Sequence, residues 1–294
     1  MTIRIGTNPI GWSNDDLPEL GGETPLEVCL AEAREAGFEG IELGNKFPRE
    51  PDALLAALAP FGLACVSGWW SASLLAHDAE TELRRLRAHL DLLRFAGAKV
   101  MVFAETSNAT HGLRDVPLSR RPHLEPGAWP QFGERLTEVA DALLAEGVRL
   151  VYHHHMGTVV QSEADIDALM AHAGPSVGLL LDTGHAAWAG ADPAALATRY
   201  RERIFHVHTK DVRAEVRAEA DARDWSFLEA VIAGIYTVPG DGSIDFARAL
   251  RPLRGYDGWV VIEAEQDPAR ANPLHYARLG YRNLVRALRE AELA

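Results

Sequence analysis

LVYHHHMGT at residues 150–158 is an apolar run that stops abruptly in three histidines. LLLDTGH at 179–185, IFHVHTKD at 204–211 and VVIEAEQD at 260–267 repeat the pattern. Such a run reads as a buried strand whose last residues leave the core and enter a polar cavity, and several in succession imply one shared site. Imidazoles and carboxylates that converge in this way most often hold a divalent metal.

Outward from these runs, short β-rich stretches alternate with longer alanine, leucine, arginine and glutamate segments along the whole chain, the signature of repeated βα units. Eight strands are expected, at residues 3–7, 40–43, 64–67, 100–104, 149–153, 177–182, 204–208 and 259–264. Eight is the number that closes a barrel, so the expected fold is α/β, a single (β/α)8 TIM barrel that takes in residues 1–294 as one domain. A doubly wound open sheet is the alternative. It lacks its glycine-rich fingerprint after the first strand, where Gly6-Thr7-Asn8-Pro9 stands.

Local punctuation supports the helices. Thr24-Pro25-Leu26-Glu27 offers an N-cap threonine, a first-turn proline and a capping-box glutamate, and Gly37 stops that helix. Ser162-Glu163-Ala164-Asp165 and Asp192-Pro193 mark two further starts. The segments from Glu105 to about Ala128 and from Asp211 to about Ile244 exceed ordinary βα loops and are expected to rise over the C-terminal mouth as a lid.

The 294-residue chain is 47% hydrophobic and 24% charged, a globular composition, and no apolar stretch approaches the ~20 residues a spanning helix needs. MTIRIGTNPIGW reads as a strand rather than a signal peptide, so a cytoplasmic location without membrane attachment is the default expectation. A net charge of −13 repels phosphate backbones and weighs against nucleic acid as a partner. Cys29 and Cys65 stand far apart in apolar settings and read as buried free thiols rather than a disulfide or a zinc site.

Side chains alternate along a strand, so His153 and His155 share the cavity while His154 looks away; His206 pairs with His208, and Glu263 with Glu265. Asp182 follows three leucines directly, a costly place for a carboxylate unless a cation or hydrogen-bond donors neutralise it, though a helix N-cap would also explain it. Nitrogen and oxygen ligands without sulfur suit Mn²⁺, Co²⁺, Zn²⁺ or Fe²⁺ better than Mg²⁺, with manganese or cobalt named first.

GTNPIGW (6–12), YHHHMGT (152–158), LLLDTGH (179–185), HVHTKDVR (206–213), TVPGDGSIDF (237–246) and VVIEAEQDP (260–268) together resemble the inosose dehydratases of the xylose-isomerase-like TIM-barrel superfamily, from Gly6 to Pro268. The resemblance implies a metal at the barrel mouth held by residues of strands five to eight: His153, with His155 as its alternative, then Asp182, His208, and Glu263 in preference to Glu265. Superfamily epimerases commonly carry a glutamate at the strand-five position, and the histidine is where this chain departs from them. His185 would face substrate, and Lys210, Asp211 and Arg213 would reach sugar hydroxyls, unless they form a solvated, internally paired loop. Asn8, Trp12, Trp69 and Trp70 end strands one and three, where rings can pack on a polyol or simply fill core. Glu42 would stand behind the ligands.

The implied reaction removes water from 2-keto-myo-inositol (scyllo-inosose), a small polyol ketone, to give a trihydroxycyclohexane-dione. Proton abstraction α to the ketone precedes loss of the β-hydroxyl, with a metal as Lewis acid and His155, His185, Glu265 and Lys210 as the groups for proton transfer. Glutathione is a further cofactor that the resemblance raises, and related barrels often form homodimers. A ketose 3-epimerase or sugar isomerase would use the same enolate, and a non-catalytic polyol-binding barrel is the reading from another class.

Overall fold

A computed structural model describes residues 3–293. The strands are β1 (Arg4–Thr7), β2 (Gly40–Leu43), β3 (Ala64–Ala72), β4 (Val100–Glu105), β5 (Arg149–His153), β6 (Gly178–Asp182), β7 (Ile204–Thr209), β8 (Asp211–Val212), β9 (Tyr236–Thr237) and β10 (Trp259–Ile262). β1 to β7 and β10 pair in parallel and close into a barrel with helices between its strands, whereas β8 and β9 form a separate antiparallel pair. This is the expected (β/α)8 barrel. Among the described residues no helix is long and apolar enough to cross a membrane.

Two strand ends differ from expectation by more than one residue. β3 runs on to Ala72 because β4 continues beside it, pairing Ala72 with Glu105. β10 stops at Ile262, its last residue paired to Thr7 and Thr209, because β1 turns away at Asn8 into a short 3-10 helix. Glu263 therefore sits just past the ladder.

Helices cover the barrel with the apolar faces that their periodicity supplies; in Trp129–Ala145 the buried stripe is Trp129, Phe132, Leu136, Val139, Ala140 and Leu143. The predicted caps at Ser162 and Asp192 form, the first as a full capping box with Asp165. Thr24 does not cap. Pro25, extended at ψ 148°, takes the N-cap position of helix Leu26–Ala36, and the Thr24 carbonyl accepts from Lys46 Nζ at 2.6 Å instead. Gly37 ends that helix at φ 109°, a conformation glycine adopts without cost.

Inside the barrel, Val66, Trp259 and Val261 form one apolar cluster, and Val100, Val102, Val151 and Leu180 with Trp69 form another. Gly40 makes room for the Trp259 indole, since a Cβ there would lie 2.7 Å from Cη2. Toward the C-terminal ends of the strands the buried side chains become Glu42, His153, Asp182, His206 and His208. Apolar filling thus gives way to a polar layer at the mouth, where enzymes of this architecture place their chemistry.

Over the mouth, the two long segments meet. Leu118 N–H donates to the Trp225 carbonyl at 3.1 Å, and Asp224 accepts from both the amide and the hydroxyl of Ser119. Phe227, Tyr236, Trp188, Met156, Val212 and Leu17 belong to a small second core beneath this cover. Cys29 and Cys65 are buried and free.

Candidate metal centre and active site

His153 ends β5, Asp182 ends β6, His208 lies near the end of β7 and Glu263 follows β10, so one turn of the barrel brings all four together. Their ligand atoms lie within 4.8 Å of one another, and all four residues are buried. Asp182 Oδ2 is 3.6 Å from both His153 Nε2 and His208 Nδ1, and His208 Nδ1 is 2.9 Å from Glu263 Oε2. Asp182 also caps the next helix by accepting from His185 N–H through Oδ1, which leaves buried Oδ2 without a hydrogen-bond partner. Metal and cap readings of Asp182 thus describe its two oxygens. An orphaned carboxylate oxygen among two imidazoles and a second carboxylate fits a divalent cation of intermediate softness.

A second cluster adjoins the first. Lys210 is fully buried, with Nζ 2.5 Å from Glu265 Oε1, 3.0 Å from Glu263 Oε2 and 3.0 Å from His185 Nε2. Burial opposes its charge, but Glu263, Glu265 and Asp182 prevail and hold the ammonium well above the ordinary lysine range. Burial, with the charge of Glu263, pushes the Glu265 carboxyl up to about 8. Its Oε2 is buried without a partner. His155 Nδ1 lies 2.7 Å from the Met156 carbonyl, which can only accept; the hydrogen of the neutral ring is therefore on Nδ1 and Nε2 is bare. Burial, aided by His111 and His153, keeps this ring well below the usual histidine range.

A cavity of about 290 Å³ opens over these groups, with Asn8, Trp69, Ser71, His155, Glu263 and Glu265 on its wall. Asp15, Asp16, Asn45 and Arg49 complete the polar side of the same cavity. Trp69 faces it, edge-on to His153 and His155, while Trp70 points outward and stacks on His89. Asn8 lines the wall with both ends engaged: Oδ1 accepts from Ile10 N–H and Nδ2 donates to Glu42.

The structure corrects four assignments. Trp12 is buried in the main core and its indole donates to Glu32 at 2.7 Å, so it does not reach the cavity. Asp211 is occupied by the backbone amides of Val212, Gly240, Gly242 and Ile244, which fold the loop around it. Arg213 ties the same loop through the Gly234 and Tyr236 carbonyls and Asp241. His185 is enclosed rather than facing the cavity, because its Nδ1 accepts from Met156 N–H and pairs with the Tyr236 hydroxyl while Nε2 meets Lys210. His154 looks away, and its Nε2 accepts from Asp182 N–H at 3.3 Å.

Residues that the sequence reading did not reach include Tyr236, whose ring lies 4.5 Å from Lys210 Nζ, and Phe227, whose ring is 5.0 Å from that of His155. Neither sits at the end of a barrel strand, the only local signal available. Asp15 and Asp16 follow the first strand closely enough that the polar run SNDD after Trp12 could have marked them.

The family model of the xylose isomerase-like TIM barrel matches residues 30–291. The rhizopine catabolism protein MocC of Rhizobium meliloti is 50% identical over 289 residues, covering 97% of this chain and 89% of that protein. An inosose dehydratase of Geobacillus thermodenitrificans is 45% identical over 279 residues, 94% of each chain. Among solved structures, the IolI protein with a binding zinc atom superposes with a TM-score of 0.65 at 15% identity, covering 98% of both chains.

Proposed function

The chain belongs to the xylose isomerase-like TIM barrel family, and from that membership we infer that it is a hydro-lyase that removes water from 2-keto-myo-inositol (scyllo-inosose) to give a trihydroxycyclohexane-1,2-dione. Relatives 42–45% identical along 94% of the chain carry the name inosose dehydratase. The observation that carries the choice of reaction is the pair on the cavity wall: His155 with a bare Nε2 and Glu265 with a free Oε2. One is disposed to take a proton and the other to give one, the division of labour that an elimination needs.

His153, Asp182, His208 and Glu263 would hold a divalent ion, and manganese or cobalt is the one we propose. Such an ion supplies Lewis acidity, polarising a ketone oxygen and offsetting the negative charge that develops on it. His155 Nε2 takes the proton α to the ketone. The β C–O bond breaks as Glu265 passes its proton to the leaving hydroxyl, which departs as water, and the remaining enol carries its proton from oxygen to carbon to become the dione. Lys210 keeps Glu265 in place through Oε1, and His185 with Tyr236 keeps Lys210 in place. Trp69 offers an aromatic face to the C–H side of a polyol ring.

The reading extends to a cytoplasmic enzyme that pairs as a homodimer, with glutathione as an added component of the assay. The test is a screen of the metal-loaded protein against scyllo-inosose and a set of ketohexoses, with and without glutathione, read by product mass. The expected product is inosose less one water. Isomers of unchanged mass would make it an epimerase instead, and no turnover of any substrate would make it a polyol-binding protein.

A further inference from the structure

Glu42 is buried on β2, and no step described above uses it. Its Oε1 accepts from Ser67 Oγ at 2.6 Å, from His206 Nε2 at 2.8 Å and from His208 Nε2 at 3.1 Å. Its Oε2 accepts from Asn8 Nδ2 at 2.7 Å. Donors from β3, from β7 and from the residue after β1 therefore converge on one carboxylate and leave it no freedom to rotate.

A carboxylate only accepts, so His208 Nε2 carries a hydrogen and the nitrogen left to ligate is Nδ1. That atom is the one facing Asp182 Oδ2 and Glu263 Oε2, at 3.6 and 2.9 Å. His206 stands beside it with ring centroids 5.3 Å apart and is bonded to the same oxygen, as a second prop for the carboxylate. The geometry points to Glu42 as a positioning residue of the metal centre, which fixes the orientation of His208 so that Nδ1 is aimed at the ion. The inference rests on His153, Asp182, His208 and Glu263 being that centre. Removal of such a carboxylate from behind a ligating histidine typically weakens metal binding about 10–100-fold.

The experiment is a Co²⁺ titration of the chelated full-length protein, read by the visible absorption of the bound ion, for wild type, Glu42→Gln and Glu42→Asp. Gln keeps the volume and one acceptor oxygen but loses the charge. Asp keeps the charge but draws it back from His208, so it also serves if the glutamine variant fails to fold. Expected are a Co²⁺ affinity about 10–100-fold weaker in both variants and an altered absorption band, at a melting temperature of the metal-free protein close to wild type. Unchanged affinity and spectrum in the variants, against a wild type that binds one ion per chain, would overturn the role of Glu42 alone. A wild type that takes up no cobalt would overturn the metal-centre reading itself.

Discussion

At the scale of single residues, two rules of local chemistry marked the candidates: alternation along a strand, and the cost of a carboxylate placed directly after an apolar run. Alternation applies to His153, His208 and Glu263 and the carboxylate rule to Asp182, and the ligand atoms of these four lie within 4.8 Å of one another. The resemblance turned His185, Asp211 and Arg213 toward substrate, and a place after strand one did so for Trp12, but the partners of all four are set by tertiary structure. The indole meets Glu32 from the next helix, and Asp211 gathers amides from residues 240–244. His155 carries the sharpest consequence at this scale. With Nδ1 committed to the Met156 carbonyl, its Nε2 is the base that we propose. His155→Gln should lower kcat by about 10²–10⁴-fold, with metal content unchanged by elemental analysis. A variant that keeps full kcat would remove His155 from the proton-transfer step.

At the scale of elements, the barrel strands were legible to within a residue or two except where a neighbour decides the end. β3 is prolonged by β4, and β10 is cut short where β1 turns. Legible too was the length of the segments that follow β4 and β7, though their contacts were not. Asp224 joins them: it caps helix Ala214–Arg223 in the left-handed region at φ 49° and accepts from Ser119 across the mouth. Asp tolerates that backbone better than most side chains because it is short and polar. Asp224→Ala loses both bonds to Ser119, and Asp224→Asn keeps an acceptor and the backbone preference. Limited proteolysis should therefore cut within 106–128 or 213–235 several-fold faster in the alanine variant, with the asparagine variant near wild type. Equal cleavage rates in all three proteins would show that this clasp does not hold the cover closed.

At the scale of the whole molecule, eight strands tilt their C-terminal ends toward one polar mouth, and the chemistry follows from what each strand delivers there. The apolar floor of Val66, Val102, Val151, Leu180 and Val261 excludes water from below, and the cover with Phe227 and Tyr236 closes from above. Between them, buried carboxylates, imidazoles and one lysine ammonium stand within a few ångströms of one another, and their burial strengthens the electrostatic contacts among them. We propose that a divalent ion held by His153, Asp182, His208 and Glu263 is required for loss of water from the substrate. The most direct measurement follows dione formation from scyllo-inosose by protein stripped with a chelator, as Mn²⁺ or Co²⁺ is titrated back. The predicted result is negligible turnover in the stripped protein and a rate that saturates at one ion per chain. Undiminished turnover after complete removal of metal would contradict it.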